Sequence, residues 1–146
     1  MGAMFDGIVT SSEPLILAQG AEGLLRGTDL TVGSIVPGIV GTEFDRVFPG
    51  EGTPQSLTVL TASLVHCKPG YCLPTGIGTA NAIVYTAPSG ARVFDAGTLQ
   101  WSWGLDNERM DPSDRALPEH HFANAGFGIL TANIIAYLLE PTAGAR

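Results

Sequence analysis

The sequence predicts an α/β fold, in which a sheet with a β-hairpin near its C-terminal end packs against one long helix. Two short apolar runs flank the turn at residues 87–90, so residues 82–95 predict a hairpin. Residues 119–139 carry apolar side chains around most of a helical circumference and no charged side chain after Glu119, which predicts a long buried helix. The 19 glycines and 10 prolines favour short strands and tight turns over a helical bundle.

The composition predicts one domain whose surface is partly covered. A chain of 146 residues can bury one core, but it is too short for two domains of ordinary size. Only 14% of the residues are charged and 45% are hydrophobic, so we expect the remainder of a larger chain or a second copy to cover apolar surface. The net charge of -7 and the absence of a basic patch argue against nucleic-acid binding.

The chain divides into three parts. Residues 1–33 are poorly patterned, as in a truncated segment, residues 34–140 form the predicted domain, and residues 141–146 form a tail. No signal peptide is visible at the N-terminus. Asn124 and Asn133 make a membrane span through the closing helix a poor prediction.

Two central stretches have strand-like patterns. Residues 34–41 are apolar and interrupted by Pro37-Gly38, which predicts a turn between two extended pieces. Residues 56–65 give the best single strand in the chain.

Candidate acids follow the first of these stretches. In a strand, Glu43 and Asp45 share one face and Arg46 lies on the other. Spacing alone is typical of a solvated strand end with a local ion pair, which contributes little to stability.

Two tryptophans mark the region after the hairpin. Residues 98–103 predict an extended run in which Trp101 and Trp103 point to the same face. Such an apolar block is either buried or used as a recognition surface.

The segment from His66 to Cys72 contains both cysteines. Lys-Pro-Gly-Tyr between Cys67 and Cys72 is a turn that brings the two thiols within reach of each other, which favours a disulfide. Free cysteines and a metal site that includes His66 are the alternatives. A disulfide would favour an extracellular or cell-surface location.

Several of these residues together resemble a known family. The run Gly41 to Arg46, the turn at residues 87–90, the run Val93 to Asp106 and a closing helix with Asn133 are similar to the C-terminal domain of the N,N-dimethylformamidase large (beta) subunit. The resemblance covers about residues 34–140.

The resemblance implies a partial glutamine-amidotransferase-like sheet and hydrolysis of the C–N bonds of small amides. In the family, iron is held by tyrosines and a glutamate from a Gly-His-Asp-Glu-Tyr-Trp-like motif, and this chain has no such motif. The Gly-x-Glu-x-Asp element is retained, so Glu43 is carried over as an active-site acid by resemblance. We therefore expect the chain to bind no cofactor alone and to be incomplete and inactive by itself.

The alternative is a non-catalytic extracellular module. In that case Trp101, Trp103 and Asp45 would line a binding surface at a sheet edge, with carbohydrate as one possible ligand.

Overall fold

The computed structural model describes residues 2–50, 52–107 and 122–140. In these ranges the chain is mostly strand, with one α-helix and two short 3-10 helices at Gln19–Leu24 and Trp101–Gly104. The strands and the helix are β1 (Met4–Ile8), β2 (Glu13–Ile16), β3 (Ile35–Val40), β4 (Glu43–Arg46), β5 (Thr58–Val59), β6 (Ser63–His66), β7 (Ile77–Ala80), β8 (Ile83–Thr86), β9 (Arg92–Asp95) and α1 (Ala125–Leu139).

The strands of the described ranges form several small antiparallel sheets. Strand β1 pairs with β4, β2 with β3, β6 with β7, and β8 lies between β5 and β9. Isolated bridges between Val9 and Cys67 and between Leu17 and Thr61 join neighbouring sheets. The chain is therefore a mixed fold of small antiparallel sheets and one C-terminal helix.

The predicted hairpin at residues 82–95 is confirmed. Strands β8 and β9 pair in regular register from Ile83 opposite Asp95 to Thr86 opposite Arg92. The Ala87 amide donates to the Ala91 carbonyl at 2.8 Å, and Gly90 adopts a φ of 85° that closes the turn. This local turn chemistry is why the sequence predicts the element well.

The predicted turn at Pro37-Gly38 is wrong, because β3 continues through it. Opposite β2, the register shifts between the pairs Glu13–Val40 and Leu15–Val36, so Pro37 and Gly38 lie in a bulge within one strand. Gly38 has a φ of 71°, which lets the strand bend without ending.

Residues 56–65 do not form the single strand that their composition predicts. Strand β5 pairs with β8, whereas β6 pairs with β7 in another sheet. Between them Leu60 donates to the Ala82 carbonyl and Ala62 to the Ile16 carbonyl, both through backbone amides. The apolar run thus changes partners midway, which a strand-length pattern cannot indicate.

The tryptophans lie in a 3-10 helix, so the predicted strand at residues 98–103 is wrong. The backbone amides of Trp103 and Leu105 donate to the carbonyls three residues earlier, at 2.9 and 3.1 Å. Residues two apart point in different directions in a helix with three residues per turn. The two rings therefore do not share a face.

Helix α1 begins later than predicted. Asn124 is extended and its side chain accepts a hydrogen bond from the Phe127 amide at 2.9 Å, which caps the helix N-terminus. Residues 119–121 of the predicted helix lie outside the described residues. Only one face of α1 is buried, whereas Ile129, Ile135 and Leu139 are 41%, 53% and 79% exposed.

The core lies between the inner faces of the sheets and the buried face of α1. The largest fully buried side chains from the strands and their flanks are Leu15, Leu17, Val36, Ile39, Val40, Phe44, Leu60, Val65 and Ile83. Helix α1 adds Phe127, Leu130 and Ile134, spaced along one face. Among the described ranges, no helix combines the length and the apolar character that crossing a bilayer requires.

Candidate functional site: a carboxyl-lined pocket

Strand β4 carries the two acids that the sequence singles out. Phe44 is fully buried, and its ring lies so close to Gly7 and Gly78 that a side chain at either glycine would crowd it. Because side chains alternate along a strand, the burial of Phe44 directs the side chains of Glu43 and Asp45 to the other face. Both acids line the same small pocket.

The turn after β9 supplies the rest of this pocket. A backbone hydrogen bond of 3.0 Å from Asp45 to Gly97 holds β4 against the turn, and Phe44 forms a bridge with Thr98. Gly97 lies against the Asn81 backbone, where a larger residue would collide. The resulting cavity has a volume of about 110 Å³ and is lined by Glu43, Phe44, Asp45, Asp95, Ala96, Gly97, Thr98 and Leu99.

Asp95 is a third carboxyl group in the pocket, which the sequence reasoning missed. It ends β9, and its Oδ1 accepts a hydrogen bond of 2.9 Å from the Gly97 amide. The pairing of β9 with β8, together with the contact of Gly97 with β4, brings it beside Asp45. The only sequence signal is an acid that ends a hairpin strand two residues before a turn glycine.

The surroundings of Asp45 make this carboxyl group harder to ionise. Burial raises the pKa of Asp45 above its ordinary value, and the negative charge of Asp95, a hydrogen bond between the two side chains and the charge of Glu43 raise it further. Asp45 therefore holds its proton more strongly than an exposed aspartate. Glu43 is exposed at the rim of the pocket.

Arg46 does not neutralise these acids. Its Nη1 lies 3.3 Å from Oδ2 of Asp6, on the neighbouring strand β1, and its guanidinium lies 4.5 Å from the centre of the Phe48 ring. The local ion pair expected from spacing is thus a cross-strand pair. It lies outside the lining of the pocket, which keeps its net negative charge.

The tryptophans contribute differently from one another. Trp101 is 8% exposed, and its ring packs between Phe94 and Phe127 with centroid distances of 5.1 and 4.6 Å. Its indole nitrogen donates to the Thr131 hydroxyl at 3.1 Å. Trp103 is half-buried and stacks on Phe122. Trp101 is therefore a core residue, and the two rings do not form a common platform for a ligand.

The cysteine loop carries a disulfide. Cys67 and Cys72 are bonded, with their Cα atoms 6.0 Å apart. The adjacent His66 pairs with Glu13 at 2.9 Å through Nδ1. Within residues 2–50, 52–107 and 122–140, no group of three histidine, cysteine, aspartate or glutamate side chains is arranged to hold a metal ion.

A larger groove lies elsewhere, between the loop at residues 52–56 and the turn at residues 85–88. Its volume is about 690 Å³, but its described lining holds no carboxylate, histidine or cysteine. It offers Tyr85 and small polar groups, which do not form an acid–base set. We therefore regard the smaller carboxyl-lined pocket as the candidate site.

The fold and this pocket define a small antiparallel-sheet domain with clustered carboxyl groups at a sheet edge. Residues 1–114 match the family described as N,N-dimethylformamidase beta subunit-like, C-terminal. The chain therefore belongs to this family of C-terminal domains. A comparison with curated proteins finds none that matches the chain.

Proposed function

We propose that the chain is the C-terminal portion of an N,N-dimethylformamidase-like hydrolase that acts on the C–N bonds of small amides. Its contribution to the active site is the Glu43 carboxylate. The observation that carries this proposal is the pocket itself, where Glu43, from the Gly-x-Glu-x-Asp element of the family, meets Asp45 and Asp95. Family membership supports the reaction class.

The size of the pocket is consistent with a small substrate group. A volume of about 110 Å³ equals that of roughly four water molecules and lies well below the range of pockets for drug-sized ligands. An amide with one or two methyl groups is of this order of size. We infer that a small amide group fits beside these carboxyl groups.

The carboxyl groups divide the acid–base work. Glu43 is exposed and accepts a proton from an attacking water, as a general base does. Asp45, whose pKa is raised by burial and by Asp95, holds a proton more strongly than an exposed aspartate and donates it to the leaving nitrogen, and the proton that Glu43 took from the water then replaces it. Neither carboxyl group stabilises the negative charge that develops on the amide oxygen. We propose that the hydrogen-bond donors for this oxyanion come from the rest of the enzyme.

The residues described here do not fit an iron site of the family's kind. The three tyrosines lie apart: Tyr71 packs edge-on against Phe5, Tyr85 lines the larger groove, and Tyr137 lies under the Arg92 guanidinium. None of them lines the pocket of Glu43. We therefore derive no catalytic step through a metal and propose that the remainder of the enzyme holds the iron.

The proposal requires a partner, which is the remainder of the enzyme. The exposed apolar residues of α1 support it, because Ile129, Ile135 and Leu139 leave an apolar face toward solvent. The family resemblance implies a glutamine-amidotransferase-like sheet. We propose that the partner supplies the strands that complete this sheet. The strand pairs described here are all antiparallel.

The test combines the chain with the polypeptide encoded in frame upstream of it or beside it. Release of amine from dimethylformamide and formamide is measured with and without added iron. We expect no activity from the chain alone, activity from the combination, and a loss of at least 100-fold in Glu43→Gln, in line with the usual contribution of a general base.

The matched control is Glu22→Gln, which changes an exposed glutamate outside the pocket. It should leave the activity of the combination unchanged. Full activity of Glu43→Gln in the combination would contradict the proposed role of this residue.

A further inference from the structure

The turn before Glu43 has an unusual backbone. Thr42 connects β3 to β4 with a φ of 62°, in the left-handed region. A β-branched residue is a genuine outlier there, because its Cβ substituents crowd the backbone. Such a conformation persists only where the surroundings hold it in place.

Two side chains from one segment hold this turn. The Thr98 hydroxyl accepts hydrogen bonds from the amides of Gly41, at 3.0 Å, and Gln100, at 3.2 Å. The same hydroxyl has the carbonyls of Ile39 and Gly41 within reach as acceptors, at 3.2 and 3.3 Å. Thr98 therefore fixes the backbone at the end of β3.

Gln100 contacts the strained residue Thr42. It is 6% exposed, which is unusual for an amide side chain, and its Nε2 lies 3.5 Å from the Thr42 hydroxyl, at the long end of the hydrogen-bond range. Its Oε1 accepts a hydrogen bond of 2.9 Å from the Ser12 hydroxyl. Gly41 lies directly against the amide, and an added Cβ at this position would collide with it.

These contacts define the start of β4. Glu43 is the residue directly after Thr42, and Thr98 lines the same pocket as Glu43 and Asp45. Thr42 is also held by the Val9 amide, which donates to its carbonyl at 3.1 Å, so Gln100 is one of the groups that contact the residue before Glu43. The buried amide touches neither carboxylate in this arrangement, so its effect on the pocket is indirect.

We propose that Gln100 is a positioning residue, which holds the Thr42 turn so that the Glu43 carboxylate stays at the rim of the pocket. The inference rests on the proposed role of Glu43. Ser12 belongs to the same group of contacts, because its hydroxyl donates to Oε1 of Gln100 at 2.9 Å.

The test uses the full chain and two variants that each remove the contact. Thr42→Val keeps the branched shape and the strain but loses the hydroxyl, and Gln100→Met keeps most of the volume but loses the amide. We expect the backbone order parameter of Glu43 from ¹⁵N relaxation to fall in both variants. The midpoint of the Asp45 carboxyl titration should move down, because Glu43 leaves its neighbourhood.

The double variant tests whether the two side chains act through each other. If they do, the change in the Glu43 order parameter is no larger in Thr42→Val/Gln100→Met than in either single variant. Ser12→Ala, at an exposed position that tolerates substitution, should give a smaller change in the same direction, and it provides the measurement if Gln100→Met does not fold.

The matched control is Thr28→Val, which removes a hydroxyl that donates to the Leu25 carbonyl at 2.7 Å outside the pocket. It should lower the melting temperature but leave Glu43 and the Asp45 titration unchanged. If Thr42→Val, Gln100→Met and Ser12→Ala behave like this control, the contact is only structural and the inference is wrong. Because these readouts need no turnover, they stand apart from the amidase assay, whose failure would instead remove the catalytic role of Glu43.

Discussion

The Asn133 side chain on α1 lies 2.8 Å from the carbonyl oxygen of Leu24, a residue 109 positions earlier in the chain. The same Nδ2 donates to the Arg26 carbonyl, also at 2.8 Å. One amide group thus ties the C-terminal helix to the N-terminal 3-10 helix and the turn that follows it. The N-terminal segment at residues 1–33, whose sequence shows no clear pattern, therefore packs with this helix in one structure.

Replacing Asn133 with Ala should lower the free energy of unfolding by about 1–3 kcal/mol, because two backbone carbonyls lose their donor. Urea unfolding followed by tryptophan fluorescence measures the change. Ala136→Ser, at an exposed position of the same helix, is the control and should stay within about 0.5 kcal/mol of the wild type. If Asn133→Ala leaves the free energy of unfolding unchanged, water replaces the amide as the donor to the two carbonyls and the prediction is wrong.

Trp101→Ala should cost about 3–5 kcal/mol, because the ring fills the space between Phe94 and Phe127. Trp101→Phe should cost less, since it keeps an aromatic ring and loses the donor to Thr131 and part of the ring volume. Trp103→Ala should also cost less than Trp101→Ala, because Trp103 is only half-buried. Thermal unfolding ranks the three variants, and a near-neutral Trp101→Ala would contradict the core placement.

Asp45 should make the stability of the chain depend on pH. Because its pKa is raised in the folded state, its contribution is fully present below its ordinary pKa of 3.8 and is lost as the pH rises through the folded pKa. Asp45→Asn has no such charge. We therefore expect this variant to be more stable than the wild type at neutral pH, with a difference that shrinks toward pH 3.8.

Urea titrations of both proteins across this pH range measure the difference directly. Comparing the two proteins at each pH cancels the contribution of other titrating groups that the substitution leaves unaffected. A constant difference at all pH values would mean that Asp45 ionises as it does in the unfolded chain.

The disulfide should change both the mass of the intact protein and its free energy of unfolding. The intact non-reduced protein should lack two hydrogens relative to the reduced form. Because the cysteines are 5 residues apart, the loop is short, and reduction should lower the unfolding free energy by only about 2 kcal/mol in the chain-entropy account. Bound zinc at one equivalent, with both thiols as ligands, would overturn the disulfide assignment.

Local patterns predicted those elements whose signals are local. The hairpin follows from its turn residues and the helix from its apolar residues, but the predicted start at residue 119 misses the Asn124 cap, after which the helix begins at Ala125. The Trp101 region fails because alternating aromatic residues fit a strand, whereas the position of this ring is decided by Phe94 and Phe127. Those partners lie in other elements, and no short window contains them.

The sequence predicted only part of the candidate site. Alternation along β4 predicts that Glu43 and Asp45 lie together, since both are in one strand. Asp95 and Gln100 could not be found in this way, because they belong to a distant segment that the contacts of Gly97 and Thr98 bring against β4. Contacts between segments about 50 residues apart depend on the whole fold.

The contribution of α1 to the core has a consequence for synthesis on the ribosome. Phe127, Leu130 and Ile134 follow most of the core in the chain, yet their helix packs on the 3-10 helix at Gln19–Leu24, which is made about 100 residues earlier. At a rate of about 5–20 residues per second, the 3-10 helix segment spends several seconds without this cover. Apolar side chains that α1 buries therefore stay exposed until the helix leaves the exit tunnel, and a chaperone can bind them in that interval.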